Sequence, residues 1–499
     1  MIRSLLLLAC LSLTSPGGLA QVPGASWKPV RPTDPEIQYV GRWDFTNPEQ
    51  PNCGWQGSSI RVRFEGGGLR AELSSGSVTE TFRVVLDGDY AASTKIFVGA
   101  RKFYALAKGL GSGAHVIELV KETYHGTNST LYGMEVAGKG LVAPPALPGR
   151  RIEFYGDSNL AGYSLENEEN KNGADLIGST LGYAGITSRI FDAQYHNISV
   201  SGGTLKSMNK RFDRITRFSE DPRWDFSRYS PDLVVMNLGA NNVGNSKSSI
   251  MAAYHTFLDD LRAVHPNAHI MLYNAWGWDY NETANYIDEV ITARNDPNMS
   301  WAVFPWLFPQ WHGCEADHGG MAEYLARHLE TVLGWQRSKA ADVLCGYGMG
   351  GDVANGSFEE VAPFGGYGWR YFDRPGVQRI KDASQAQDGK YFLRLVDQPI
   401  FQPNPANNGD TFTVQVWLRG GKAGDQVDLT IDFRDQKMWT KPLQSDTERK
   451  TLSSSWQLFT ISATAPATSS MPVFHTRFTI QPVKKSAVID VDSISMTRF

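Results

Sequence analysis

Between Arg151 and Arg337, short runs that are apolar throughout alternate with longer helical stretches, and nothing else in the chain constrains the fold as strongly. The runs are RIEFYG, YHNISV, DLVVMNLG, HIMLYNA and WAVFP, with helical texture near Ser179–Ala193, Ser248–Ala263, Ala284–Ala293 and Gly320–Arg337. A strand without polar alternation has no face to offer water. It belongs in a parallel sheet covered by helices on both sides. Sheets of that kind gather ligands at the carboxyl ends of their strands.

The flanks read differently. From about Ile37, SSIRVRFEGGGLRAEL, ETFRVVLDGDY, STKIFVGA and AHVIELVKETY alternate polar and apolar residues, with glycine turns between them. A second all-β region follows GYGMGG (Gly346–Gly351) and includes TFTVQVWLRG, QVDLTIDFR and AVIDVDSISM. At 499 residues the chain exceeds one ordinary core. The expected division is a leader over 1–20, a Pro-rich lead-in over 21–36 and an N-terminal β-sandwich of jelly-roll type over 37–143. An α/β/α domain with a parallel sheet takes 144–345, a linker 346–351 and a second β-sandwich 352–499.

The N-terminus, MIRSLLLLACLSLTSPGGLAQ, has a charged end at Arg3, an apolar centre over Leu5–Leu13 and a small-x-small site at Gly18-Leu19-Ala20. This reads as a secretory signal cleaved after Ala20, so a secreted or periplasmic protein is expected. A lipoprotein anchor at Cys10 is the alternative, although only a short apolar run precedes it. No later segment could span a membrane. Net charge is −4, from 48 Lys+Arg and 52 Asp+Glu, and without a long basic run nucleic acid is not an expected partner. A monomer is expected. Cys53, Cys314 and Cys345 remain after cleavage, an odd count. A helix over Gly319–Arg337 would run about 28 Å and leave few residues to bring Cys345 back to Cys314, so free thiols are expected. No Cys/His spacing suggests zinc.

Four pieces of the middle region fall after strand candidates: Gly156-Asp157-Ser158, VSGGT (Val200–Thr204), LGANN (Leu238–Asn242) and CEADHGG (Cys314–Gly320). In this order they resemble the SGNH (GDSL-type) hydrolase superfamily. An ester carbonyl needs a nucleophile, a base, and donors for the developing oxyanion. Ser158 offers the hydroxyl, and His318 would take its proton and return it to the leaving alcohol. The Ser158 and Gly202 N–H groups and the Asn241 amide would form the oxyanion hole, with Gly202 and Gly203 ambiguous by one position. Such relatives carry Asp three residues before the histidine, where this chain has Glu315. Glu315 is the expected orienting acid, with Asp317, a helix cap in its own right, or a backbone carbonyl as alternatives. With an unperturbed imidazole, activity would rise near pH ~6.5. No cofactor is expected for catalysis.

The N-terminal texture narrows the ester. YVGRWDF, WQGSSIRVRFEGGGLRAEL, VVLDGDY and LAKGLGSGAHVIELVKET, followed by RRIEFYGDSNLAGY, resemble carbohydrate esterase family 2 over about Tyr39–Gln336. That resemblance implies an enzyme that removes O-acetyl groups from xylan- or mannan-type polysaccharide or oligosaccharide through a serine acyl-enzyme. Another acyl or sugar-acid ester, or a non-catalytic polysaccharide-binding role, are the alternatives. Trp276, Trp278 and Trp311 are candidate sugar-binding residues, against the plainer reading that such rings pack a core. The last region, from VANGSFEEV to AVIDVDSISM, resembles carbohydrate-binding modules of the family 4, 9 and 22 type. Exposed members of Trp369, Tyr371, Trp417, Trp439 and Trp456 could stack on sugars. The resemblance also implies a structural calcium near Glu359 and Asp492, a site that needs more oxygens than these two supply.

Overall fold

A computed structural model describes residues 26–499 except 77, 125, 168–169, 243, 276–285, 305–311, 344, 350–351, 361–368, 370–374, 435–440, 469–472 and 474. The signal-peptide reading of residues 1–20 and the candidates Trp276, Trp278 and Trp311 lie outside the described residues, as do Tyr371 and Trp439.

The N-terminal domain is built around one long strand, Ser59–Ser74. Its first half pairs with Ala114–Lys121 and its second with Lys102–Lys108, while Ser129–Val142 runs beside most of it. Alternation turns Ile60, Val62 and Phe64, and past the bend Leu69, Ala71 and Leu73, into one core. The strand bends at Gly66, where a Cβ would run into the Ala137 carbonyl and the register slips. Multidomain organisation, with sheet-rich domains on either side of a parallel α/β domain, is as the sequence texture indicates.

Among the described residues the central domain has five parallel strands: β1 (Arg150–Gly156), β2 (Ala193–Ser199), β3 (Leu233–Asn237), β4 (His269–Ala275) and β5 (Met299–Phe304). They lie in the order β2-β1-β3-β4-β5. The helices are α1 (Tyr183–Ile190), α2 (Leu205–Asn209), α3 (Lys247–Val264), α4 (Ile287–Arg294) and α5 (Glu315–Leu333). On one face α1 and α5 bury Tyr183, Ile186, Met321, Leu325 and Leu329. On the other, α2, α3 and α4 bury Leu205, Ile250, Phe257, Leu261 and Val290. Both faces being covered is what the unbroken apolar strands require.

Among the described residues the third domain consists of two antiparallel sheets of five and four strands around Phe412, Val414, Leu429, Ile431, Phe478 and Ile489. Trp369 is part of that core, 3% exposed, and is no sugar platform. The domain leans on the central one, since Phe401, Tyr347 and Met349 join the core beneath α5. Among the described residues Cys53, Cys314 and Cys345 are not joined in disulfides. The separation argument for Cys314 and Cys345 does not survive, however. The chain returns to the start of α5, where the Gly346 N–H donates to Ala316 O at 2.9 Å. The Cys345 thiol turns instead to the Tyr347 carbonyl, 3.0 Å away. Among the described residues no helix is long and apolar enough to cross a membrane.

Candidate active site

Parallel register decides where the site forms. Gly156 at the end of β1 pairs with Ser199 at the end of β2 and with Asn237 at the end of β3. The strand order reverses between β1 and β3, so the loops leaving them diverge and open a crevice. Ser158, Gly202 and Asn241 all lie just past these three strand ends. Gly156 is needed for the turn, because a Cβ there would sit 2.6 Å from Leu160 Cβ. The chain then coils back, with Ala161 N donating to Asp157 O and Tyr163 N to Ser158 O.

Gly202 has φ +74, in the left-handed region that glycine adopts without strain, and a Cβ there would meet nothing within 4 Å. Among the described residues neither the Ser158 N–H nor the Gly202 N–H has an acceptor. The Asn241 amide reaches Asp157 Oδ2 at 3.3 Å and Gly203 O at 3.2 Å, which places it on the nucleophile's own turn. The structure thus brings Ser158, Gly202 and Asn241 together.

It does not give Ser158 the expected histidine. His312 Nε2 lies 3.0 Å from Ser158 Oγ, and its Nδ1 lies 2.7 Å from Asn170 Oδ1. Tyr163 packs on the imidazole, with ring centroids 4.2 Å apart. His318 is fully buried, and its Nδ1 accepts the Tyr183 backbone N–H at 3.1 Å. The physical reason is where α5 starts. The glycines at 319 and 320 suggest a helix beginning after His318, which would leave that residue in a loop. Instead Asp317 accepts the Cys314 N–H at 3.0 Å in a capping box, and α5 begins at Glu315. His318 then falls on the buried stripe with Met321, Ala322, Leu325 and Leu329. Gly320 serves packing, since a Cβ there would come 2.6 Å from the Tyr347 ring. The spacing of His318 to Met321, Ala322 and Leu325 was the available signal that this histidine faces a core.

Glu315 is also corrected. It is 7% exposed and lies within the electrostatic reach of Glu166, Arg83, Lys95 and Glu122, at the contact with the N-terminal domain, and it does not orient the imidazole at Ser158. Asp317 caps α5 and is fastened by the Tyr347 hydroxyl at 2.5 Å.

Burial dominates the electrostatics. It pushes His312 down to about 4. His318 also falls to about 4, with Asp317 opposing the burial and His312 adding to it. Asp157 rises to about 7 through burial, against the hydrogen bonds from Asn159 N and the Asn241 amide. Glu315 rises to about 7, first through burial and then through Glu166, with Arg83 and Lys95 opposing.

In the third domain, Glu359 and Asp492 hold one loop from two sides. Glu359 Oε1 accepts the Lys390 and Tyr391 N–H groups, and Asp492 Oδ2 accepts those of Gln387 and Asp388. Among the described residues no group of three or more His, Cys, Asp or Glu side chains is gathered as a metal site.

Comparison with known proteins follows the same division of the chain. Residues 39–145 match the family described as carbohydrate esterase 2 N-terminal, and residues 154–329 match the GDSL-like lipase/acylhydrolase family. The cellulase/esterase CelE of Acetivibrio thermocellus is 31% identical over 333 residues, which are 60% of this chain and 40% of CelE. The chain therefore spans less than half of that relative's length. The acetylxylan esterase/glucomannan deacetylase of Cellvibrio japonicus is 25% identical over 330 residues, 61% of this chain and 91% of that protein. Among solved structures, a family two carbohydrate esterase from Clostridium thermocellum in complex with cellohexaose is 30% identical. It has a TM-score of 0.56, with 60% of this chain and 99% of that one covered. Both family matches end before the third domain.

Proposed function

Because the chain belongs to carbohydrate esterase family 2, we propose that it removes O-acetyl groups from xylan- or mannan-type polysaccharide or oligosaccharide through an acetyl-enzyme on Ser158. The observation that carries this reading is the 3.0 Å approach of His312 Nε2 to Ser158 Oγ at the crevice between β1 and β3. Ser158 Oγ attacks the acetyl carbonyl carbon while His312 Nε2 takes the hydroxyl proton. The oxyanion is met by the Ser158 and Gly202 N–H groups, and by the Asn241 amide once it releases Gly203 O. The C–O bond to the sugar breaks, and His312 returns the proton to the departing sugar hydroxyl. Water, deprotonated by His312, then attacks the acetyl-serine and acetate leaves. All reacting groups come from the chain, and this chemistry needs no cofactor.

The reading extends to export through residues 1–20 and to a carbohydrate-binding third domain, supported by Trp417 and Trp456, which stay partly exposed. It includes a structural calcium at Glu359 and Asp492. Only the resemblance to calcium-holding modules supports the cation, since Glu359 Oε1 and Asp492 Oδ2 are taken up by backbone N–H donors and two carboxylates are too few oxygens for a hard cation. Melting in chelator against added calcium tests this, and identical transitions would remove the cation from the account. The test of the activity is acetate release from a panel of acetylated xylans and mannans, with Ser158→Ala as control. Release from none of them, or undiminished release by the control, overturns the proposal.

A further inference from the structure

We propose that Asn170 positions the imidazole of His312 from a loop that the N-terminal domain holds in place. This rests on the reading of Ser158 and His312 as nucleophile and base.

Asn170 Oδ1 lies 2.7 Å from His312 Nδ1, on the far side of the ring from Ser158. A carbonyl oxygen there accepts the Nδ1 proton, so the neutral ring carries its hydrogen on Nδ1. Nε2 keeps its lone pair for the serine hydroxyl. Tyr163, whose tilted ring packs against the imidazole, limits rotation out of that line. Asn170 has φ +55, a left-handed backbone that asparagine tolerates better than most side chains. The flanking chain is pinned locally, since the Asn167 N–H donates to Ser164 O at 3.0 Å and the Lys171 N–H to Asn167 Oδ1 at 3.2 Å.

Both stems of this loop are fastened to the N-terminal domain. On the entry side Glu166 pairs with Arg83 and, at 2.7 Å, with Lys95. On the exit side Lys95 Nζ donates to Asp175 O at 2.9 Å and to Ile177 O at 2.7 Å. Thr81 Oγ1 donates to Ala174 O at 2.8 Å. Glu122 is fully buried; it accepts the Ser179 and Thr180 N–H groups and pairs with Arg83. One lysine bridging both stems, with a buried carboxylate behind it, explains why a β domain precedes a catalytic domain that contains its own nucleophile and base.

An amide differs from the more usual carboxylate in one respect. It orients the ring without stabilising the imidazolium, which agrees with a His312 that burial pushes down to about 4.

The test is kcat, KM and the pH–rate profile on an aryl acetate for Asn170→Ala, Asn170→Asp and Lys95→Met, with Ser158→Ala alongside. Asn170→Ala should lose kcat about tenfold to a hundredfold with little change in KM. Asn170→Asp should stay active and move the acid limb of kcat/KM upward by about one to three pH units, as a charge beside an imidazole does. Lys95→Met should lower kcat severalfold and leave that limb in place. Wild-type kcat and profile in both Asn170 variants would overturn the positioning role, and wild-type kcat in Lys95→Met would overturn the clamp. If Asn170→Ala fails to fold, the isosteric aspartate carries the test. Activity surviving in Ser158→Ala would instead sink the nucleophile reading beneath the proposal.

Discussion

The seven residues from His312 to His318 carry one histidine at each end, and the fold gives the two opposite work. His312 precedes α5, is partly exposed, and reaches Ser158 with one nitrogen and Asn170 with the other. His318 lies in the first turns of α5, is fully buried, and accepts the Tyr183 N–H. Both are pushed down to about 4, so the pKa alone does not separate them. Position relative to a helix start does, because that decides which side chain faces a crevice and which faces a core.

Substitution gives the largest effect with which to break this contrast. His312→Ala is expected to lose about 10² to 10⁴ of kcat/KM while melting near the wild type, because it removes the general base from a partly open site. His318→Ala is expected to do the reverse. It leaves a cavity and an unpaired buried N–H at Tyr183, at a cost of about 2–5 kcal/mol, while folded molecules keep most of their kcat. Thermal melting and active-site-titrated rates on an aryl acetate read both. Exchanged outcomes, with His318→Ala catalytically dead yet stable, would reverse the assignment.

The pH–rate profile sharpens the same contrast with a smaller effect. A base works when neutral, and burial lowers the pKa of His312 to about 4, so kcat/KM should fall only as pH drops through about 4. Asp157, beside the nucleophile and raised to about 7, ionises on the other side. Its negative charge near the oxyanion donors should depress the rate above neutrality, leaving a plateau between about 4 and about 7. A single rise centred near pH ~6.5 would mean an unperturbed imidazole and would refute the buried setting of His312.

The sequence is legible here wherever one strand's pattern suffices. Apolar runs identify the parallel sheet, and Ser158, Gly202 and Asn241 are readable because each follows such a run. His318 was misread because a family spacing was laid over a helix whose start depends on Asp317 capping Cys314, a choice that the following glycines disguise. Asn170 was not legible at all. ENEENKNG offers Asn167, Asn170 and Asn172 as equals, and only the grip of Lys95 and Glu122 on the loop stems selects among them. Contacts between domains leave no local periodicity. Glu315 was misread for the same cause, since its partners Arg83, Lys95 and Glu122 belong to another domain.

Glu315 supplies the smallest test, and its sign can be worked out. At 7% exposure its carboxyl is pushed from the usual 4.5 up to about 7, by burial first and Glu166 second, with Arg83 and Lys95 opposing. Between those values the unfolded chain gives up this proton more readily than the folded one. The contribution of Glu315 to stability is therefore fully present below about 4.5 and declines as pH rises through about 7. Glu315→Gln removes the titration and keeps the shape. Its melting temperature relative to wild type should climb between pH 5 and pH 8, toward a ceiling of about 3 kcal/mol in stability. If Glu315 oriented the base, kcat would collapse in this variant. If it only seals the contact between the first two domains, kcat stays within about twofold while the melting difference grows with pH. A flat melting difference together with lost kcat would return Glu315 to the catalytic machinery and leave Asn170 without its role.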